Sequence, residues 1–320
     1  MKKLLLVCAV AALALPAFAK SGALSLIPND AVTVGVVRLA DMRSSPLSST
    51  LFEQTDKVST NGDAEKFLRE AGLQPSRDID LVMVATTPRT ALGHDADVLV
   101  AAEGRFNVQR LTDALLARGA EKRSNANGAY LLLPKGMHGE DSEERGAVAF
   151  ADSHLALVGT EAAVLDALAN RSSGGTSFTT TSGLGRELTR IDSHATAWAI
   201  VDVARASRLA GGPHLSNHNA SAQALNSALK SVSTVALWAT DSGDSLKLGA
   251  FGLSNDPETL QLVEDTVRGA LSALRLAAQD KSPDLVSTLR RFTISRTDNS
   301  VTISGTVPAE TFRKFTREAK

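Results

Sequence analysis

Residues 146–163 read GAVAFADSHLALVGTEAA, and residues 292–309 read FTISRTDNSVTISGTVPA. Each stretch holds an alternating strand, a turn at Asp-Ser or Asp-Asn, a second alternating strand, and then Gly-Thr ahead of a helix. That order predicts a β-hairpin followed by a helix. Period-two alternation suits a sheet with one buried face, and Asp, Ser and Asn suit the turn. Laid side by side without a gap, the stretches align Asp152 with Asp298, Gly159 with Gly305, Thr160 with Thr306 and Ala163 with Ala309. A match of this kind marks an internal duplication.

Outward from this pair, further matches follow in the same order. Residues 97–107 (DVLVAAEGRFN) align with 245–255 (SLKLGAFGLSN), 80–86 (DLVMVAT) with 234–240 (TVALWAT), and 31–37 (AVTVGVV) with 194–200 (HATAWAI). Asn107 and Asn255 stand where helix N-caps belong, ahead of VQRLTDALLARG and DPETLQLVEDTVRGALSALRLAA. The expected fold class is α+β: two tandem repeats, each β-α-β-β-α-β-β-α, with an antiparallel or mixed sheet and helices packed on one face. Repeat 1 is expected over 20–170 and repeat 2 over 193–320. Between them, RSSGGTSFTTTSG (171–183) is rich in turn formers, and LGRELTR (184–190) reads as a short helix, so 171–192 is expected to be linker and short helix. The sequence leaves open whether the two repeats share one sheet.

The chain begins MKKLLLVCAVAALALPAFAK. Lys2 and Lys3 form a basic start, Leu4 to Leu15 an apolar run, and Pro16 a break. Ala17-Phe18-Ala19 then supplies small residues around a cleavage point. This is the layout of a secretory signal peptide over 1–19, with cleavage between Ala19 and Lys20. The apolar run is short for a membrane span of about 20 residues. Cleavage would remove Cys8, the single cysteine of the chain. A periplasmic or secreted protein without a membrane span is expected, holding its fold by core burial alone.

Composition narrows the chemistry. The chain has 320 residues, with 34 Lys plus Arg against 35 Asp plus Glu. No basic field for nucleic acid is present, and no nucleic-acid partner is expected. Hydrophobic residues at 43% and charged residues at 22% suit a folded globular chain. One cysteine excludes a disulfide framework within the chain.

No catalytic constellation emerges along the sequence. A G-x-S-x-G nucleophile elbow is absent, and Ser227-Ala228-Leu229-Lys230 matches S-x-x-K only as an exposed helix face would. His214 and His218 stand four apart, but Pro213 precedes them and no Glu follows His214, so a polar loop is the better reading. His154 and His194 fall at strand starts and are expected to face solvent; His94 and His138 fit no ligand spacing. Glu140, Asp141, Glu143 and Glu144 read as a solvated hairpin loop, without the alternating oxygens of a calcium loop. Neither phosphate-binding glycine motif occurs. Trp198 and Trp238 are expected in core packing. No catalytic, cofactor-binding or metal residue is nominated, and no cofactor is expected.

The mature start SLIPNDAVTVGVVRLADMRSSPL and the later FLREAGLQPSRDID (Phe67 to Asp80) carry a resemblance. They resemble a group of exported bacterial proteins catalogued as domains of unknown function, with repeated α+β units. The resemblance implies export and fold, and it carries no catalytic residue. The leading expectation is a non-enzymatic exported binding or interaction protein, for a protein or small-molecule ligand in the envelope. The alternatives are an envelope hydrolase whose site is assembled only in three dimensions, and a structural or assembly component of the envelope.

Overall fold

The computed structural model describes residues 22–45, 63–89, 96–135, 145–176, 178–209, 231–279 and 282–318. A 3-10 turn (Leu24–Leu26) leads to β1 (Thr33–Val37), α1 (Leu39–Met42), α2 (Asp63–Ala71), α3 (Pro75–Asp78), β2 (Ile79–Pro88) and β3 (Ala96–Gly104). Then come α4 (Val108–Leu116), β4 (Glu121–Asn125), β5 (Gly128–Leu132), β6 (Gly146–Phe150), β7 (Leu155–Thr160) and α5 (Glu161–Ser172). Two short helices follow, α6 (Phe178–Thr181) and α7 (Gly183–Glu187), with a 3-10 turn (Leu188–Arg190). The chain continues through β8 (Ala197–Asp202), α8 (Val203–Leu209), β9 (Thr234–Asp241), β10 (Ser245–Leu253) and α9 (Pro257–Ala278). It closes with α10 (Pro283–Leu289), β11 (Thr293–Arg296), β12 (Ser300–Pro308) and α11 (Ala309–Glu318).

The strands form one sheet in the order β11-β12-β10-β9-β8-β1-β2-β3-β7-β6-β5-β4. Neighbouring pairs are antiparallel, so the class is α+β and the sheet is not mixed. Local chemistry sets the element ends. The Asn107 side chain accepts the Arg110 N–H at 3.1 Å and caps α4. Asp256, not Asn255, caps α9, accepting the N–H groups of Glu258 and Thr259 ahead of Pro257 at the first helical position.

Both sheet faces are covered on their flanks, which corrects the expectation of helices on one face. One face carries Val34, Val36, Met83, Leu99, Leu157 and Ile200, packed under α5 (Val164, Leu168) and under Leu26, Phe178 and Leu184. It is called the α5 face here. The other face buries Ala102 and Ala156 against α2 (Ala71) and α4 (Leu111). Farther along that face, Val301 packs on Leu260 and Val263 of α9. It is called the α9 face. The reason is visible on β3, where Ala101 belongs to the first face and Ala102 to the second. Adjacent strand residues point oppositely, so a strand apolar at both needs cover on both sides.

The stretch 178–190 is also more than surface linker. Phe178, Leu184 and Leu188 are buried there and join the central core. One strand was not legible at all: β4 (EKRSN) is exposed throughout and carries no alternation. Its charges suit an outer edge, where open backbone groups would otherwise recruit another strand.

The two matched stretches fall on β6–β7 and β11–β12. Outward from the seam, the strand order runs β1-β2-β3-β7-β6 on one flank and β8-β9-β10-β12-β11 on the other. Residue by residue, the ungapped alignment slips. Phe150 pairs with Ala156, whereas Arg296 pairs with Val301, so the second hairpin is one residue shorter. A one-residue slip moves every later side chain to the opposite face. Gly159 accordingly pairs with Leu99 on the α5 face, while Gly305 pairs with Leu248 on the α9 face. The two glycines are not equivalent positions, and neither ends a strand.

Candidate functional site

The six central strands from β2 to β12 leave a stretch of the α9 face uncovered by the described helices. Two cross-strand rows make its floor. The first runs Val84, Gly35, Ala199, Leu237, Ala250 and Ile303. The second runs Val82, Val37, Ala197, Ala239, Leu248 and Gly305. No side chain in either row is polar. The rows lie on one face because every residue in them shares the strand parity opposite to Val34, Val36, Met83 and Ile200.

The result is a trough of about 550 Å³, with Phe292 at the β12 end. Six strands spaced at about 4.8 Å make it roughly 24 Å long across the sheet. Its middle is shallow-sided, with Gly35, Ala197, Ala199 and Ala239 forming a smooth strip between larger neighbours. Leu237 is 56% exposed and Val84 38% exposed, so the floor faces solvent.

The two tryptophans sit on the opposite side of these strands. Trp198 is 3% exposed in the α5-face core, and its indole Nε1 has no hydrogen-bond partner there. Trp238 packs against the same core, with its ring seated on Gly249 and its centroid 6.1 Å from that of Phe251. Both therefore back the trough without lining it by side chain.

The polar candidates are local. Asp152-Ser153-His154 and Asp192-Ser193-His194 are the same tripeptide in two exposed turns. In each, the aspartate accepts the backbone N–H of the histidine, at 2.6 and 2.9 Å. In each, the serine hydroxyl lies by the neighbouring Nδ1, at 3.0 and 3.2 Å. These are Asx turns that fix the strand entries. The His194 N–H, with help from the Thr240 hydroxyl, holds the Asp192 carboxyl below its ordinary range. A polar cleft of about 310 Å³ lies by Asn29, Glu187, Asp202 and Arg205. Its charged groups are already engaged. Arg205 donates to the Asp30 carbonyl at 3.0 Å, Asp202 accepts the Arg205 N–H at 3.0 Å, and Glu187 accepts Arg190 at 2.6 Å.

Ala19, Lys20, Cys8, His94, His138, His214 and His218 lie outside the described residues, as do 140–144 and 227–230. Among the described residues, no group of three or more His, Cys, Asp or Glu is placed to hold a metal ion. Among them, too, no helix is long and apolar enough to cross a membrane.

The chain matches no protein-family model and no curated protein. Among solved structures it is similar to TP0453, a Treponema protein of unknown function, in several crystal forms. Crystal form I shares 12% identity at a TM-score of 0.47, over 91% of this chain and 94% of that one. Crystal form III shares 11% identity at a TM-score of 0.46, over 91% and 95%.

Proposed function

We propose that the chain is an exported binding protein, periplasmic or secreted, and that the trough over its central strands holds an elongated apolar small molecule. The observation that carries the reading is the pair of six-residue rows with no polar side chain, open to solvent at Leu237 and Val84. Burying a side chain of that size stabilises by about 1.5–3 kcal/mol, so a ligand lying along the rows gains several such contributions. The smooth central strip accommodates a narrow aliphatic chain better than a bulky ring. The first residues support export, with Lys2 and Lys3, the apolar run and Ala17-Phe18-Ala19. The shared strand order on the two flanks supports descent from one duplicated α+β unit, with one-residue adjustments at the turns.

The test is a fluorescence titration with an anilinonaphthalene sulfonate probe, followed by displacement with a long-chain fatty acid. Saturable, displaceable binding is expected. Ala199→Asp places a carboxylate on the floor and should weaken binding at least about tenfold, equal to roughly 1.4 kcal/mol. Ala199→Leu should weaken it by filling space without charge. The emission of Trp198 and Trp238 should stay unchanged, because both point into the other face. Undiminished probe binding by Ala199→Asp with intact tryptophan emission would sink the reading.

A further inference from the structure

The two ends of the trough differ in charge. At the β2 end the charges are matched. Asp80, two residues before Val82, is neutralised by Arg43 at 2.6 Å. On α2 and α4, Lys66, Arg69 and Arg118 gather about Glu70. At the β12 end, Phe292 closes the floor over Gly305. The two residues before it are Arg290 and Arg291. Arg290 is half-buried and Arg291 exposed, and neither guanidinium has a hydrogen-bond or carboxylate partner among the described residues. The turn that carries them is fixed. The N–H groups of Arg290, Arg291 and Phe292 donate to the carbonyls of Val286, Thr288 and Leu289 at 3.1, 3.0 and 3.3 Å.

The other charges around this end are engaged or set apart. Arg268 and Arg296 share Glu264, at 2.7 and 2.9 Å. Arg275 donates to the Leu289 carbonyl at 2.8 Å. Asp284 stands at the opposite end of α10, and Glu310 lies beyond the end of β12. We infer that the ligand of the trough is a single-chain anionic amphiphile, its carboxylate or phosphate head held at the β12 end by Arg290 and Arg291 and its tail lying over the floor toward β2. The inference rests on the reading that the trough holds an apolar chain. Guanidinium groups bind either oxyanion by charge-assisted hydrogen bonds. Two like charges on consecutive residues repel, and an anion between them relieves that repulsion.

The test displaces the neutral probe N-phenylnaphthylamine from the full chain with four ligands of one tail length: decanoate, decyl phosphate, decanol and decyltrimethylammonium. At least one of the two anions should bind about three- to tenfold more tightly than decanol, as suits an ion pair at an exposed rim. The tighter anion names the head, and the ammonium should bind most weakly. The preference should shrink as salt is raised. Arg291→Gln should reduce the preference, and Arg290→Gln with Arg291→Gln should abolish it, with the decanol constant and the circular dichroism spectrum unchanged. Ala199→Leu, on the floor, should instead weaken all four. Equal binding of both anions and decanol by the wild type overturns the inference, as does a preference that survives the double change. In either case decanol binding that Ala199→Leu weakens leaves the trough reading standing. Failure of all four ligands to displace the probe takes down both.

Discussion

The two flanks of the sheet share an order of five strands but fill the same connection differently. Between β3 and β6 the N-terminal flank places α4 and the β4–β5 hairpin, which extends the sheet. Between β10 and β11 the C-terminal flank places α9 and α10, which cover it instead. One flank thereby grows wider and ends in a charged edge. The other stays narrow and carries a long helix with exposed leucines. The glycines differ in the same spirit. A side chain at Gly159 would overlap the Val98 backbone carbonyl, and one at Gly104 the Asp78 carbonyl. At Gly305 and Gly249 the obstacle is a ring, Phe292 or Trp238. The N-terminal glycines permit backbone to approach backbone, and the C-terminal ones seat aromatics.

That contrast predicts the largest effect. Gly159→Val should cost about 4 kcal/mol or more, because a paired strand must move. Gly305→Val should cost about 1–3 kcal/mol, because the Phe292 ring can tilt away. Equal losses in urea unfolding would erase the distinction. Next in size are the cores. Met83→Ala should cost about 2–5 kcal/mol and lower protection throughout the sheet, since Met83 is fully buried in the cluster that spans the seam. Leu260→Ala removes a fully buried residue from the smaller α9 cluster. It should open α9 and β12 to hydrogen exchange while β1 and β8 stay protected. Loss of protection at β1 in Leu260→Ala would show that the flanks unfold together.

The smallest effect concerns the caps. Asn107→Ala should destabilise by about 1 kcal/mol. Asp256 performs the same task with a titratable group. The Thr259 hydroxyl first, and the Thr259 and Glu258 N–H groups after it, hold its carboxyl below the ordinary range. A depressed folded pKa means the stabilisation is complete above the unfolded value and is lost as pH falls through the folded one. Protection factors of the amides in the first turn of α9 should therefore fall in acid, in the wild type but not in Asp256→Asn. The first turn of α4, capped by Asn107, gives the reference.

Much of the fold was legible because the strands alternate and the turns use Asp, Ser, Asn and Gly. The hairpins at 146–160 and 293–308 and the helix after Asn107 follow from those signals, while the long helix was expected from a cap at Asn255 and is capped one residue later, by Asp256. What failed did so for physical reasons. A hairpin shortened by one residue is invisible to an ungapped match, yet it reverses the facing of Gly305. The strand at Glu121–Asn125 lies at an edge and buries nothing, so its sequence carries no period. The trough was also hidden. Strands such as TVGVV and AWAIVD read as apolar on both sides, and only the tertiary arrangement decides that Gly35 and Ala199 face solvent while Val34 and Trp198 do not.

The seam between β1 and β8 sets an order in time. It pairs residues 33–37 with residues 197–201, about 160 positions later. A chain emerging N-terminus first at about 5–20 residues per second leaves the β1 edge unpaired for roughly 10–30 s. The far edge, β4, is guarded by its own charge through that interval. The apolar edge TVGVV is not, and its partner is supplied only by the half of the molecule made last.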